Sequence, residues 1–192
     1  ARGIEYDGDQ LLYAIASTVH KTEPVAGVVG TLMSNLGLEK AFEKLGIAFA
    51  RANVGDRYVL EQLYQRGWQV GGEASGHILC MDKHNTGDGI ISALQVFAAL
   101  GELGVDLNSV LSDWQAYPQT MINVRINKGH AWQPAAEPVL KQVEQELGQQ
   151  GRVVLRASGT EPVVRVMVEA KDASVAKASA EKIAAAIEAS IH

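Results

Sequence analysis

The stretch that decides the fold opens with Pro24-Val25-Ala26-Gly27-Val28-Val29-Gly30, an apolar run ending in glycine that is typical of a buried strand. Outward from it, helix-like and strand-like segments alternate: helices at 36–45 and 56–66, strands at 47–52 and 68–70. Two further helices flank them, one over 10–20 capped by Asp9 and one from Asp88 to about Leu100. The alternation predicts a mixed α/β domain with a largely parallel sheet.

The second half of the chain has a different pattern. From Met121 to Ile126 apolar and polar residues alternate, which is the period of a half-exposed strand. Two more strands are predicted at 152–157 and 163–170, and amphipathic helices from Pro138 and over 173–191. Strands segregated from helices predict a small α+β domain whose sheet is covered by helices on one face. We place the domains at 1–112 and 113–192.

Composition excludes several classes of function. The 192 residues carry 17 Lys and Arg against 22 Asp and Glu, a net charge of −5, so nucleic acid is not an expected partner. No apolar run approaches the roughly 20 residues of a membrane helix, and the first residues lack the apolar core of a signal peptide. The single cysteine, Cys80, excludes an intramolecular disulfide. We therefore expect a cytoplasmic chain with no membrane partner.

A loop between the last two predicted strands is the first candidate binding site. It reads Arg156-Ala157-Ser158-Gly159-Thr160-Glu161-Pro162, with Arg165 three residues further on. A glycine-centred turn can present successive backbone N–H groups to an anion, hydroxyls add donors, and flanking arginines can clamp a phosphate. The alternative is an ordinary hairpin turn with solvated arginines, because Ser, Gly and Thr are common turn residues.

The second candidate is Gly72-Glu73-Ala74-Ser75-Gly76-His77. If this segment is extended, Glu73, Ser75 and His77 project to one side, because strand side chains alternate. A carboxylate beside a hydroxyl and an imidazole suits a polyhydroxylated ligand such as a sugar. The alternative is a glycine-rich connection with a structurally satisfied histidine.

Two metal interpretations are weaker. His77, Cys80 and His84, with Asp82, have residue types that bind zinc, but the paired spacing of a structural zinc site is missing, and a buried inert thiol explains Cys80 better. Asp7-Gly8-Asp9 could hold magnesium, although a carboxylate at a helix start also serves as an N-cap.

Five motifs occur here in one order along nearly the whole chain. They are TLMSN (31–35), VGDRYV (54–59), GEASGH (72–77), TGDG (86–89) and RASGTEPVVRVMVEA (156–170). In this combination the chain resembles the C-terminal half of the bacterial phosphoglucosamine mutases, a family within the α-D-phosphohexomutase superfamily. The resemblance implies the third domain, which binds sugar, followed by the fourth, which carries a phosphate loop.

The resemblance also implies roles for individual residues. Glu73 and Ser75 would contact sugar hydroxyls, His77 would lie near the reacting end of the substrate, and Asp56 and Arg57 are weaker candidates for the sugar site. The residues that would hold the non-reacting phosphate are Arg156, Ser158, Gly159, Thr160 and Arg165. The family commonly has Asn or Gln where Ala74 stands, and we expect this departure to matter little.

What the resemblance implies for catalysis lies outside this chain. Such mutases interconvert glucosamine 6-phosphate and glucosamine 1-phosphate for cell-envelope precursors, through a phosphoserine and a bisphosphorylated sugar. The phosphoserine loop and the Mg²⁺ loop belong to the first two domains, and neither motif occurs here. We therefore expect a fragment with no catalytic residue and no metal of its own, which binds a phosphorylated amino sugar without turnover and associates with the N-terminal domains of its parent.

Two alternatives to this interpretation remain. The chain could derive from a phosphomannomutase or phosphoglucomutase, with mannose or glucose as the sugar, or it could be a non-catalytic phosphosugar-binding module.

Overall fold

The computed structural model describes residues 3–127, 129–159 and 161–191. The chain divides into two compact units, Ala1–Ala116 (unit 1) and Tyr117–His192 (unit 2). The predicted boundary, after residue 112, falls inside a short 3₁₀ helix, Leu111–Asp113. The observed boundary lies in the extended segment that follows this helix.

Unit 1 is built from five helices and four strands within the described residues. In chain order they are α1 (Gly8–Thr22), β1 (Gly27–Thr31), α2 (Leu36–Leu45), β2 (Ala48–Ala52), α3 (Asp56–Arg66), β3 (Val70–Gly72), β4 (Ile78–Cys80), α4 (Gly89–Leu103) and α5 (Leu107–Val110). The sheet has the order β2-β1-β3-β4, in which β1 runs parallel to both β2 and β3, and β4 is antiparallel to β3. This confirms the predicted mixed α/β architecture.

The strand order creates a topological switch point beside β1. The chain leaves β1 through α2 to reach β2 on one side, and then returns through α3 to reach β3 on the other side of β1. In sheets of this kind a crevice opens outside the carboxyl ends of the two strands at the switch. The segments that follow β1, β2 and β3 therefore meet at one edge of the sheet.

Helix α1 begins earlier than predicted, and its cap is Asp7 and not Asp9. The Asp7 carboxylate accepts the Gln10 backbone N–H at 2.9 Å, and the Gln10 side-chain oxygen accepts the Asp7 N–H at 2.9 Å. This reciprocal capping box satisfies two N–H groups that would otherwise lack partners. Asp9 consequently lies in the first turn of the helix, where it is buried.

Unit 2 is a three-stranded antiparallel sheet with two helices against one face, as predicted. Its elements are β5 (Gln119–Arg125), α6 (Gln133–Leu147), β6 (Gly151–Ala157), β7 (Val163–Ala170) and α7 (Ala173–Ala189), with a 3₁₀ turn at Gly148–Gln150. The sheet order is β5-β7-β6. The core lies between the sheet and the helices and includes Val124, Val143, Val166 and Ile183.

Helix α6 starts five residues before the predicted position at Pro138. Pro134 lies in its first turn, where a missing N–H costs nothing, and Pro138 is inside the helix. The lost hydrogen bond at Pro138 is offset by burial of Ala136, Val143 and Leu147 against the rest of unit 2.

Among the described residues, a single helix with the length and apolarity to cross a membrane is not found. Only α4 taken together with 107–113 reaches that length and composition, and the two parts are bent by 80° at their junction.

Candidate functional site

The 73–77 segment is the connection of a tight hairpin, so the extended conformation on which a common direction of Glu73, Ser75 and His77 depended is not formed. Strands β3 and β4 pair through Gly72 and Ile78. Beyond them the Glu73 N–H donates to the His77 carbonyl, and the Gly76 N–H donates to the Glu73 carbonyl, both at 2.9 Å. Gly76 has φ +97°, which only glycine adopts readily. The chain reverses here because β4, too short for its periodicity to predict, pairs back onto β3.

Within this hairpin the three predicted side chains have different surroundings. Glu73 is only 9% exposed, whereas Ser75 and His77 are exposed to solvent. Glu73 Oε1 accepts the backbone N–H of Gly55 at 2.9 Å. The other carboxylate oxygen has no hydrogen-bond partner among the residues that the structure describes. The carboxylate is thus held through one oxygen, which leaves the second available as an acceptor.

The Gly55 contact joins the VGDRYV motif to the GEASGH motif. Gly55 has φ +128° and is the residue before α3, so Asp56 and Arg57 form the exposed first turn of α3 beside Glu73. The Arg57 N–H donates to the Asp56 carboxylate at 2.7 Å. The structure therefore brings Glu73, Asp56 and Arg57 to the same edge of the sheet, from two motifs 18 positions apart in the sequence.

Ser75 and His77 line a small cavity of about 230 Å³ together with the TGDG motif. The other lining residues are Gly76, Gly87, Asp88 and Gly89. Asp88 caps α4 and accepts the N–H groups of Ile91 and Ile90, and these two hydrogen bonds lower the pKa of its carboxyl. From the sequence we assigned no role to the TGDG motif. The signal that could have pointed to a role is its place in the ordered set of motifs.

The start of α1 contacts the backbone of the β3–β4 hairpin. The Gly8 N–H donates to the Ala74 carbonyl at 2.9 Å. A Cβ atom on Gly8 would overlap the backbone oxygen of Glu73 and would lie 2.6 Å from the Gly76 nitrogen. Only glycine permits this approach between helix and hairpin.

Asp9 extends the same support to the TLMSN motif that follows β1. Its side chain is 1% exposed, and Oδ2 accepts the Asn35 N–H at 2.7 Å, while Oδ1 is buried without a hydrogen-bond partner in the described chain. Burial raises the pKa of this carboxyl to about 6, against the opposing effect of the Asn35 hydrogen bond. Arg51 braces the motif from the other side by donating to the carbonyls of Thr31 at 3.0 Å and Ser34 at 2.6 Å.

These contacts do not fit the magnesium interpretation of the segment at 7–9. Asp7 is occupied as a helix cap, and Asp9 is buried against Asn35. The zinc interpretation does not fit either. Within residues 3–127, 129–159 and 161–191, no three His, Cys, Asp or Glu side chains lie close enough together to bind a metal ion. Cys80 is buried in β4, and burial raises the pKa of its thiol to about 11, which keeps it protonated and unreactive.

A second cavity in unit 1, of about 450 Å³, lies away from these motifs. It is lined by the end of α1, by residues 24–27 before and at the start of β1, and by Trp68, Cys80 and Ala99. None of the predicted site residues lines it.

In unit 2 the two predicted arginines are direct cross-strand partners. Arg156 on β6 pairs in register with Arg165 on β7, so both side chains lie on the same face of the sheet. The flanking Val164 and Val166 point into the core, which places the arginines on the face away from α6 and α7. Arg165 is 3.9 Å from the Glu161 carboxylate, whereas Arg156 has no hydrogen-bond or ion-pair partner in the described part of the chain. Two like charges directly opposite each other are unfavourable unless an anion lies between them.

The hydroxyl of Ser158 stabilises the turn in the loop beside these arginines. The Ser158 N–H donates to the Val163 carbonyl at 2.8 Å, and Ser158 Oγ accepts the Glu161 N–H at 3.3 Å. The Gly159 N–H has no partner among the described residues, and nothing lies within 4 Å of the position of a Cβ atom on Gly159. The backbone at Gly159 is thus open to an approaching group. Thr160, also predicted to bind phosphate, lies outside the described residues.

A third arginine lies on the same face and was missed by sequence reasoning. Arg125 on β5 pairs with Val163 on β7. The pair of Asn123 with Arg165 lies two residues away along the strands and therefore on the same face. Arg125 is exposed and has no ion-pair partner in the described chain. Its alternation with Val124 was visible in the sequence, but only the register of β5 against β7 brings it to the loop.

Comparison with known proteins identifies the family to which this chain is related. The family model for "Phosphoglucomutase/phosphomannomutase, alpha/beta/alpha domain III" matches residues 7–117, and the model for the "C-terminal domain" of the same family matches residues 121–186. Among curated relatives, the phosphoglucosamine mutase of Neisseria subflava is 66% identical over 186 residues, and that of Chromobacterium violaceum is 59% identical over 189 residues. These matches cover 96% and 98% of this chain but 42% of each relative.

Solved structures show the same fold at low identity. The N-acetylphosphoglucosamine mutase of Aspergillus fumigatus, in complex with GlcNAc-6P and magnesium, aligns with a TM-score of 0.79 at 22% identity, over 97% of this chain and 44% of that one. A phosphoglucomutase/phosphomannomutase family protein from Burkholderia thailandensis aligns with a TM-score of 0.72 at 18% identity, over 96% and 42%. This chain spans less than half the length of these proteins. It belongs to the phosphoglucomutase/phosphomannomutase family, of which it carries domain III and the C-terminal domain.

Proposed function

We propose that this chain is the C-terminal, phosphosugar-binding part of a phosphoglucosamine mutase, in which unit 2 binds the non-reacting phosphate and unit 1 binds the sugar. The observation that carries the proposal is the cross-strand pair of Arg156 and Arg165 beside an open glycine in the loop. The choice of glucosamine is supported by the 66% identity to enzymes named phosphoglucosamine mutase.

The phosphate side of the proposal follows from charge. Arg156 and Arg165 project from paired positions on one face, so their guanidinium groups repel each other until an anion lies between them. A phosphate offers oxygens that accept two parallel hydrogen bonds from each guanidinium. The open Gly159 N–H and the Ser158 hydroxyl would complete the shell, and Arg125 adds a further positive charge on this face. One phosphate in this position would turn an unfavourable charge pair into a favourable cluster.

The sugar side follows from the buried carboxylate. Glu73 is fixed by the Gly55 N–H through one oxygen, and its second oxygen would accept a hydrogen bond from a sugar hydroxyl. A carboxylate held in place before the ligand arrives loses little conformational entropy on binding. Ser75 and His77, which line the neighbouring cavity, would bind adjacent polar groups of the ring.

In the whole enzyme, these groups would hold the substrate while a phosphoryl group is exchanged between its two ends. The serine nucleophile would lie in the part of the relatives that this chain does not match. Magnesium, bound there, would neutralise charge on the transferred phosphoryl group. The residues of this chain would bind and orient the sugar phosphate, and would hold the phosphate that does not react.

Titration calorimetry with glucosamine 6-phosphate tests the proposal. We expect the chain to bind, and Arg156→Ala to weaken binding about 10- to 150-fold, the range for a charged hydrogen bond worth about 1.5–3 kcal/mol. Lys177→Ala is the matched control, since it removes the same charge from the exposed surface of α7 on the other face of unit 2. Equal affinity of wild type and Arg156→Ala would refute the assignment of this face to phosphate.

The same titration identifies the sugar. We expect glucosamine 6-phosphate to compete more strongly than glucose 6-phosphate or mannose 6-phosphate. A preference for either of these would assign the chain to a different mutase of the same family.

A further inference from the structure

Helix α4 has an exposed face that is entirely apolar. Ile90, Leu94 and Phe97 recur at helical spacing and are 75%, 58% and 69% exposed. The other exposed residues of α4 are Gly89, Ala93, Ala98 and Gly101 and, at the C-terminal end of the helix, Glu102. We call this surface, formed by residues 90, 93, 94, 97, 98 and 101, the α4 face. The opposite side of the helix is buried through Ser92, Val96 and Ala99, so apolar side chains lie on both the exposed and the buried side of α4.

Apolar side chains on both sides of a helix are typical of a helix that is covered on both sides. Helix α7 of unit 2 shows the ordinary pattern, because its exposed positions include Lys177, Glu181 and Lys182. Large exposed side chains are common singly, but three in one uncharged stripe indicate an interaction surface. We infer that the α4 face is the surface on which this chain packs against the part of its longer parent protein that precedes domain III.

The length of the relatives supports this occupant. The curated relatives match this chain over only 42% of their length, and the match ends in the family's C-terminal domain, so more than half of each relative precedes the matched part. A covalently linked neighbour of that size is large enough to cover an exposed apolar surface on this chain. The α4 face carries no charge, so it fits an apolar partner surface.

The size of the face argues against a second copy of this chain. A stripe of twelve helical residues is roughly 18 Å long and 10 Å wide, or roughly 200 Å². A stable dimer buries about 800 Å² on each partner. A covalently linked neighbour can use a smaller surface, because linkage makes its effective concentration high. Ala93 and Gly101 also leave grooves between the large side chains, into which side chains of a neighbouring helix can pack.

The inference rests on family membership and not on the proposed sugar or phosphate site, so the two can fail separately. The test joins the unmatched part of the Neisseria subflava enzyme to the front of this chain and compares the fusion with the 192-residue chain. Hydroxyl-radical footprinting should show Leu94 and Phe97 protected several-fold in the fusion. Tyr64, which is 63% exposed on α3, serves as the reference in both proteins.

A triple variant gives the second readout. Ile90→Gln, Leu94→Gln and Phe97→Gln together should lower the Tm of the fusion by several degrees and leave that of the 192-residue chain nearly unchanged, because exposed substitutions have small effects. The control combines Tyr64→Gln with Val175→Gln, two other exposed apolar helix positions, and should change neither Tm.

Several outcomes would overturn the inference. The first is that Phe97 is oxidised as strongly in the fusion as in the 192-residue chain. If the fusion does not fold, the same footprinting measurement is made at the aligned positions of the intact Neisseria enzyme. Dimerisation of the 192-residue chain in sedimentation equilibrium, abolished by the triple variant, would assign the face to a second copy. Binding of the chain to phosphatidylcholine vesicles, abolished in the same way, would assign it to lipid.

Discussion

At the scale of single residues, Asp9 shows how the same residue type acquires its role from its surroundings. From the sequence it could be a metal ligand or a helix cap, and we predicted that it caps α1. The capping box uses Asp7, and two residues later Asp9 is buried, where its carboxylate accepts the Asn35 N–H. Burial raises the pKa of its carboxyl to about 6, although the Asn35 hydrogen bond and the positive charge of Arg51 act in the opposite direction.

This pKa predicts a pH dependence of stability with a definite sign. The folded-state pKa of Asp9 lies above its ordinary value of 3.8, so its stabilising contribution is complete below about pH 3.8 and is lost as pH rises through about 6. Asp9→Asn keeps an oxygen for the Asn35 N–H and removes the titration. Urea unfolding should therefore show the variant gaining stability relative to wild type between pH 4 and pH 8, by about 3 kcal/mol.

The control for this experiment is Asp88→Asn, at the N-cap of α4. Hydrogen bonds from Ile91 and Ile90 lower the pKa of Asp88, so its contribution is present above its ordinary pKa and lost on acidification. The difference between this variant and wild type should change in the opposite direction with pH. Parallel pH curves for Asp9→Asn and wild type would contradict the proposed burial of the Asp9 charge.

Glu73 allows its structural and its binding role to be separated. Glu73→Gln can still accept the Gly55 N–H, so we expect the free energy of unfolding to change little, while affinity for glucosamine 6-phosphate falls about tenfold or more through loss of the charged acceptor. Glu73→Ala should in addition cost about 1–3 kcal/mol of stability, because the Gly55 N–H loses its partner. Unchanged sugar affinity in Glu73→Gln would mean that the carboxylate only braces Gly55.

At the scale of elements, the α1 helix and the β3–β4 hairpin form one unit of structure. The first turn of α1 contacts the hairpin through Gly8 and the TLMSN segment through Asp9. The segments that follow β1 and β3, at the switch point of the sheet, are therefore positioned by the same helix end. The hydrogen bonds of these connections explain why a short, glycine-rich hairpin can hold a carboxylate in a defined place.

The helix–hairpin contact predicts an inverted effect of a helix-favouring substitution. Gly→Ala inside a helix normally stabilises by about 0.5–1 kcal/mol. At Gly8 it should instead destabilise, because the added Cβ would overlap the Glu73 carbonyl and displace the hairpin. Gly101→Ala on α4 is the control, since its Cβ would meet nothing within 4 Å and should stabilise the 192-residue chain. Thermal unfolding measures both, and a stabilised Gly8→Ala variant would refute the close contact.

At the scale of the whole molecule, the proposed function assigns substrate binding to this chain and phosphoryl transfer to the part of the relatives that it does not match. We expect the purified chain to convert no glucosamine 6-phosphate, because the nucleophile is proposed to lie in the unmatched part of the relatives. The fusion with the unmatched Neisseria segment should restore conversion, measured by the formation of glucosamine 1-phosphate with added magnesium. Turnover by the 192-residue chain alone would show that a nucleophile within it had been overlooked.

Much of this organisation follows from local sequence. The helices at 36–45 and 56–66 and the strand at 163–170 were predicted with their observed bounds, because spacing of apolar residues and glycine at helix ends are local signals. The loop proposed to bind phosphate is likewise a local feature, since its arginines and small polar residues lie within ten positions of each other. The family resemblance rests on the order of short motifs, which is likewise a property of the sequence.

Other features were decided only by tertiary structure. The turn at 73–77 depends on β4, a three-residue strand that is stable only because β3 offers it hydrogen-bond partners. The place of Arg125 beside Arg165 depends on the register between β5 and β7, which local periodicity does not specify. The raised pKa of Asp9 depends on the start of α1 at Gly8, which makes Asp7 the cap and leaves Asp9 in the buried first turn. In each case the deciding contact joins residues of different secondary-structure elements, so its energy exists only once those elements have packed together.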